Sequence, residues 1–559
     1  MKKTQQVLCL TLAATAMFSG CGRTPGGDGS ENSKTTTLVV ASYNGGVGND
    51  WLDSIIAKFE AENKDVSFEP GKTGVTIKPV KEKKQLTTAI ASTNYDVIFD
   101  ENVKYFSIAS SKVALPLDDI ITEVNTDGKT IESKLTEQQK EGLTAIDGHY
   151  YGFPHYEYFG GLGYDIDVFD RYKLYLSADK DNGNGGFIID NNETRSLGPD
   201  GATGVIGGVD YSKDDGLPAT YEEFYALLAY MDTKDVTPFI WTGKYESYMD
   251  NLLSGLFFNS SGYEAALANF TFDSGDEEVA IVKSFDAQNR PQIENVKITE
   301  ENAYKLSQQA SRYYALEFLE KIFSDKDYYH KDSISGTLSH TDAMQEIIYG
   351  YLENKPIAFI VEGSYWYTEA LDLGIVESVA ADGHGDAARN RRFGWMPLPT
   401  QYSGTVAPQT KQTLGDVSEA FMFVNAKVAS DPNKAALAKK FVKFAHTDAM
   451  LEQFTKDTGI TKALKYDVSA ETYNNLNAYG KSNVDMKKNS NVLYTLSNHD
   501  ILINNFTTFS FSRANYIWAT TNYQVPVTGM KAGAKAVDLF KELATTEADW
   551  TNTYSKYFK

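Results

Sequence analysis

Cysteine is nearly absent. The 559 residues contain two, Cys9 and Cys21, so the chain beyond residue 21 cannot form an internal disulfide and depends on its packed core. Seven histidines occur without a His-Glu-x-x-His or similar ligand spacing, which leaves a zinc hydrolase unsupported. Basic charge is outweighed: 53 Lys and Arg stand against 75 Asp and Glu, for a net charge of −22 at pH 7. So acidic a body is a poor partner for nucleic acid or anionic lipid. No apolar run after Cys21 reaches the length a bilayer crossing needs. A Gly-x-Ser-x-Gly elbow is missing, so nucleophilic catalysis has no motif to rest on. Gly71-Lys72-Thr73 imitates the end of a phosphate loop, but Val66 stands where the first glycine belongs. Gly46-Val47-Gly48 lacks the third glycine of a dinucleotide fingerprint. Asp100 and Glu101 are adjacent at a strand end, a placement that rarely aims two carboxylates at one glycosidic bond. Binding is the better-supported class of function, and no cofactor is required.

What is present begins at the N-terminus. Lys2 and Lys3 form a basic start, Val7 to Phe18 is a mostly apolar run too short to span a bilayer, and Ser19-Gly20 precede Cys21. This predicts a removable signal over residues 1–20. The segment resembles the bacterial lipobox, with Phe18 where that pattern prefers Leu, and the resemblance implies cleavage before Cys21 and lipidation there. The chain is then expected at the extracytoplasmic face of the cell membrane, held by lipid alone; an ordinary signal with an accidental cysteine is the alternative. Residues 21–35 are small and polar and read as a flexible stalk. The remainder is too long for one compact core and predicts at least two lobes with a cleft.

Thr37 to Ser42 reads as a buried strand, Tyr43 to Gly48 as a loop, and Trp51, Leu52, Ile55, Ile56 and Phe59 as the apolar face of a helix. A strand over Val75 to Val80, a helix over about Lys83 to Ala91 and a strand over Asp96 to Phe99 follow. This is the rhythm of an open, mostly parallel α/β sheet, whose ligands sit beyond the carboxyl ends of its strands. Those ends carry Tyr43, Asn44, Asp100 and Glu101. Farther on, Thr220 and Glu223 make a capping box ahead of Phe224, Leu227, Leu228 and Met231. Pro238 to Trp241 reads as a strand, Ala343 to Leu352 as a helix, and Pro356 to Val361 as a strand opening into Glu362-Gly363-Ser364-Tyr365-Trp366. Phe421 to Asn425 is a strand, and Asp431-Pro432 starts a helix bearing Leu437, Phe441 and Phe444.

The order of Asp96 to Phe99, Val113 to Asp118, Tyr151-Gly152-Phe153-Pro154, Pro356 to Trp366, Trp395 to Pro399 and Phe454 to Ile460, spread over residues 36–465, resembles the extracellular solute-binding proteins of carbohydrate ABC importers, the maltose-binding-protein-like family. That resemblance implies a two-lobed α/β, periplasmic-binding-protein-like fold with a hinge and a central ligand cleft. It further implies a carbohydrate ligand, delivery to ABC transporter permease subunits, and a monomer that is not an enzyme. Lobe crossings fall near Tyr156 to Gly161 and Gln409 to Glu419, with lobe 1 over 36–158 and 410–470 and lobe 2 over 159–409 and 471–559. Asp179 to Asp215 and Asp273 to Pro291 are insertions relative to the family.

Sugar binding asks for aromatic rings against C–H faces and for planar acceptors and donors against hydroxyls. Aromatics make up 13% of the chain, with 35 Tyr. Tyr43, Trp241, Tyr245, Tyr365 and Trp366 are the stacking candidates, each with core packing as its alternative. Asn44, Asp100, Glu101, His155 and Glu157 are the hydrogen-bonding candidates. His155 also reads as a partly exposed loop histidine, and Glu157 follows from the family resemblance. Trp51 and Trp395 are assigned to packing. In the first insertion, Asp179-Lys180-Asp181-Asn182-Gly183-Asn184-Gly185 alternates oxygen side chains with glycines, as a calcium shell does. Asp179, Asp181 and Asp190 are the candidate ligands of a structural calcium ion, with Asp200, Asp214 and Asp215 nearby in sequence. The strict EF-hand pattern fails, and a solvated acidic loop is the competing reading. Two other functions fit the length and anchoring: a helical-repeat glycan-binding lipoprotein paired with an outer-membrane transporter, against which the βαβ rhythm argues, and a secreted lipoprotein glycoside hydrolase, which lacks motifs.

Overall fold

Leu38, Val40 and Ala41, all fully buried, make the strand β1 (Thr36–Tyr43) the spine of the first sheet. The computed structural model describes residues 34–43, 45–176, 205–206, 209–210, 216–401, 411–504, 525–542, 544–553 and 555–557. After β1 come β2 (Val75–Glu82), β3 (Val97–Asp100) and β4 (Gly152–Pro154), then β5 (Gly160–Asp165), β6 (Thr237–Ile240), β7 (Ile357–Gly363) and β8 (Phe393–Trp395). Three later strands, β9 (Thr413–Asp416), β10 (Phe421–Val424) and β11 (Asn491–Tyr494), return to the middle of the molecule.

The first sheet has the order β2-β1-β3-β10-β4, with β1 parallel to β2 and β3 and β10 antiparallel to both its neighbours. The helix Asp50–Glu62 turns Trp51, Leu52, Ile55, Ile56 and Phe59 onto this sheet, the face its spacing predicts. Asp50 and Asp53 in its first turn suit the helix dipole. The predicted helix over Lys83 to Ala91 is instead a short 3-10 turn, Thr87–Ser92. β2 runs on to Glu82 opposite Tyr43, and the Asp100 carboxylate captures the Leu86 N–H at 2.9 Å. What is left is too short for an α-helix, and it opens on two β-branched threonines.

The second sheet has the order β8-β5-β7-β6; β7 is antiparallel to β5 and parallel to β6. Every residue of β7 is buried, as befits an apolar run covered on both faces. Phe359 and Val361 join the core built by the helices Tyr221–Asp232, Met249–Ser261 and Ala310–Phe323, while Ile360 joins Met344, Ile347 and Ile348 on the other side. Thr220 and Glu223 form the expected capping box. The insertion around Asp273 to Pro291 belongs to a hairpin, Glu278–Phe285 with Pro291–Lys297, whose Val279, Ile281 and Val282 enter this core. The insertion Asp179 to Asp215, including Asp179, Asp181 and Asp190, lies outside the described residues apart from a two-residue ladder at 205–206 and 209–210.

Three segments run between the two sheets. The chain leaves the first after Pro154 and enters the second at Gly160, and it returns through β9 to β10. Phe159 and Asp416 bridge these two crossings, and β9 pairs in parallel with β11, the third. Among the described residues, no helix is long and apolar enough to cross a membrane. Residues 1–33, with Cys21, lie outside them.

Candidate functional site

The hinge is built from buried polar side chains whose hydrogen bonds are made. Glu157, 1% exposed, accepts from Thr461 Oγ1 at 2.6 Å and Tyr494 Oη at 3.2 Å and pairs with Lys487 Nζ at 2.7 Å. Asp416 accepts from the Tyr158 N–H at 3.0 Å and from the Ser418 N–H and Oγ. Its carboxyl is pushed up to about 8, chiefly by burial and then by Glu157. His155 lies deeper, against Trp51, Phe99 and Phe454, with its Nδ1 2.6 Å from Lys462 Nζ. Both are buried in the core of the first lobe. His155 and Glu157 are therefore not the ligand contacts expected of them: one is packing and the other ties the crossing segments together.

Above the hinge, side chains from both sheets converge. Tyr43 ends β1, half-buried, and its hydroxyl is held above its ordinary value by burial and then by Glu101 and Glu369. Glu101 follows β3 and lies over the loop after β1; a Cβ on Gly45 would overlap its carboxylate. Burial drives the Glu101 carboxyl up to about 8, the Tyr156 hydroxyl bonded to it pulls the other way, and Glu369, Asp100 and Glu419 add to the rise. Asp100 itself is fully buried, with its oxygens on the Leu86 and Glu101 N–H groups, so it shapes the loop rather than facing the cleft. Across from Glu101, Tyr365 packs on Gly46, where a Cβ would overlap its ring, and makes an edge contact with Tyr158 at 5.3 Å. Asp372 Oδ1 lies against Gly48. The loop of the first lobe is thus seated on the second.

Glu362 sits beneath Tyr365 at the end of β7. It is 1% exposed and its carboxyl is held well above the usual range by burial and by Glu369. Glu369 is itself pushed up to about 7 by burial and Asp372. One oxygen of Glu101 and one of Glu362, both out of solvent, have no hydrogen-bond partner. Tyr248 and Tyr245 flank this group as a stacked pair with centroids 6.0 Å apart, and Tyr245 is 43% exposed. The arrangement offers rings, protonated phenols as donors and carboxyl oxygens as acceptors. Among the described residues no group of three or more His, Cys, Asp or Glu is placed to hold a metal ion.

Of the expected contacts, the structure brings together Tyr43, Glu101, Tyr365 and, at the rim, Tyr245. Trp241 and Trp366 are displaced from the site. Trp241 is fully buried beside Phe323 and Tyr329, and Trp366 is fully buried between Phe393 and Tyr479. Trp366 opens the helix Trp366–Asp372 rather than standing in a loop, which turns its indole inward. Asn44 lies outside the described residues. Trp51 and Trp395 are packed, at 1% and 3% exposure, as assigned.

Sequence reasoning missed Tyr156, Tyr158, Tyr248, Glu362 and Glu369. A signal existed for three of them. Tyr156-Glu157-Tyr158 alternates along an extended crossing, so when Glu157 faces the hinge its neighbours face away. Glu369 lies four residues from Tyr365, on the same helical face, once the helix start is known.

No protein-family model and no curated protein matches the sequence. Solved structures do. The apo form of RafE from Streptococcus pneumoniae is similar at a TM-score of 0.52 and 14% identity, over 92% of this chain and 98% of that one. A chitin oligosaccharide binding protein gives 0.51 and 13% over 93% and 100%. Maltose-bound MalE3 of T. maritima gives 0.50 and 13% over 93% and 100%. At such identities the likeness is one of fold: over nearly its whole length the chain has the α/β, periplasmic-binding-protein-like architecture of these sugar-binding proteins.

Proposed function

We propose that this protein is the extracytoplasmic binding component of a carbohydrate ABC importer, capturing an oligosaccharide between its lobes and delivering it to the permease. The observation that carries the reading is the convergence of Tyr43 and Glu101 from one lobe with Tyr248, Glu362 and Tyr365 from the other over a three-segment hinge. Rings and acceptor oxygens from both sides are what a polyhydroxylated ligand needs, and a ligand touching both lobes favours the closed state. The similar folds belong to proteins whose descriptions name raffinose, chitin oligosaccharide and maltose. Hydrolysis fits less well. A glycosidase holds one carboxyl high and its partner low, whereas burial pushes Glu101, Glu362 and Glu369 all upward. Lipidation at Cys21 would keep the receptor at the membrane, and Asp179, Asp181 and Asp190 would hold any structural calcium ion; both rest on the sequence.

The test is calorimetry against raffinose, malto-oligosaccharides and chitin oligosaccharides. Tyr365→Ala is expected to remove a stacking ring, a loss on the order of 2 kcal/mol or about thirtyfold in Kd. Tyr245→Ala, at the rim, is expected to weaken binding less. Failure of every oligosaccharide to bind the intact protein overturns the proposal.

A further inference from the structure

Elsewhere in this fold several carboxylates withdrawn from solvent meet cations, although Asp416 is held by N–H and O–H donors instead. Arg391 pairs with Asp165 and with Asp167, Lys487 with Glu157, and the buried Lys134 with Asp127. The cleft departs from that habit. Glu369 lies close enough to raise both Glu101 and Glu362, and Asp372 beside Glu369 and Glu419 beside Glu101 add charge at the edge. Among the described residues no Lys or Arg forms an ion pair with any of the three. Basic groups at the margin are Lys104, whose charge bears on Glu419; Lys244, 5.3 Å from the Tyr245 ring centroid; and His340, whose Nε2 is 3.8 Å from Glu369 Oε1 and whose imidazole burial pushes down towards the neutral form.

Two of these acids are also short of donors. Glu362, 1% exposed, has one oxygen on the Gly363 N–H at 3.2 Å and the other on nothing. Glu101 has its Oε1 equally unpartnered and out of solvent. Ligand hydroxyls would satisfy the hydrogen bonds but would not stabilise the ionised forms of these three acids, which burial disfavours. An ammonium group does both, because it brings three N–H donors and the missing positive charge.

Building on the carbohydrate reading above, we propose that the cleft selects a cationic sugar, an oligosaccharide with at least one free amine placed among Glu101, Glu362 and Glu369. The experiment is calorimetry with three oligomers of equal length: glucosamine, N-acetylglucosamine and glucose. The free-amine oligomer is expected to bind at least tenfold more tightly than its N-acetylated counterpart, and E362Q and E101Q are each expected to remove most of that difference. Both variants replace a buried acid by a neutral isostere, so their melting temperatures should equal or exceed that of the parent, which separates lost binding from lost folding. Equal or tighter binding of the acetylated or glucose oligomer overturns the cationic assignment and leaves the carbohydrate receptor standing. Absence of binding by all three, and by the oligosaccharides named above, removes both.

Discussion

Lys462 offers the sharpest test of how this core is built. Its side chain is buried in the first lobe, with Nζ 2.6 Å from His155 Nδ1, 4.2 Å from the Phe454 ring centroid and 5.0 Å from that of Trp51. Burial alone drives its amine far below the ordinary lysine range, and burial does the same to His155, with Lys462 adding to the effect. The folded chain therefore binds fewer protons here than the unfolded chain. Stability must rise with pH until the unfolded lysine titrates near about 10.4, with a slope of about 1.4 kcal/mol per pH unit for one proton. Above about pH 7.5 an unfolded histidine is already neutral, so His155 no longer contributes to the slope there and Lys462 still does.

Lys462→Met keeps the chain length and removes the titration. Relative to this variant, the parent should gain stability between pH 7.5 and 9.5, by at most about 2.7 kcal/mol, the full one-proton slope applied over two units. His155 left without its neighbour costs about 1–3 kcal/mol, but that offset is constant across the window and does not alter the slope. The raised carboxyls of Glu101 and Asp416, both at about 8, act in the opposite sense. They occur in both proteins and cancel in the difference. Urea unfolding at several pH values, followed by tryptophan fluorescence, reads the comparison. Parallel pH profiles for parent and variant would refute the argument, since they would mean that Lys462 stays charged inside the fold.

Two other perturbations separate hinge from cleft. Glu157→Ala strands the donors of Thr461 and Tyr494 and the charge of Lys487, which keeps the Leu464 carbonyl at 3.0 Å; a loss of about 3 kcal/mol is expected, at the low end for a broken buried pair. Denaturant midpoints check this, and a variant of parental stability with no ligand affinity would return Glu157 to the binding site. Gly46→Ala places a methyl group into the Tyr365 ring across the cleft, although the φ of Gly46 is not left-handed and the backbone itself tolerates alanine. Small-angle scattering should show a more open molecule with weaker binding, and unchanged dimensions with unchanged affinity would count against a closed seat for this loop.

Elements with a strong local signature were legible in the sequence. The helix after β1 announced its buried face through Trp51, Leu52, Ile55, Ile56 and Phe59, and the helix Tyr221–Asp232 announced its start through Thr220 and Glu223. β7 was legible as an apolar run, but its end was not. The strand continues through Glu362 and Gly363 and the next helix begins at Trp366, so two residues read as loop are a buried acid and a core indole. Large aromatics at strand ends are ambiguous for this reason: the same ring serves core or cleft, and a one-residue shift in helix start decides which. Trp241 follows β6 directly and fell on the interior side. The acids were harder still, because long-range pairing makes the difference between Glu157 and Glu362, and sequence spacing does not report that Lys487 lies beside one of them.

That difference bears on how closure is coupled to ligand. At the hinge, Glu157 and Asp416 have their hydrogen bonds made by groups from the crossing segments themselves, so their burial fixes the register of Tyr158, Ser418, Thr461 and Tyr494 whatever the cleft contains. In the cleft, Glu362 is buried and Glu101 partly so, and each has one oxygen out of solvent and short of a donor. Unmet buried acceptors disfavour the closed arrangement, at about 1–3 kcal/mol for each such group. A ligand that supplies the donors removes that penalty only when both lobes are in place, because Glu101 comes from one and Glu362 from the other. Its differential affinity for the closed state therefore contains the relief of both acids, and this differential term is what shifts a two-state equilibrium. In the proposed receptor, rigidity at the hinge and unsatisfied acids in the cleft would act together: the first would limit the motion to opening and closing, and the second would make closing depend on the ligand.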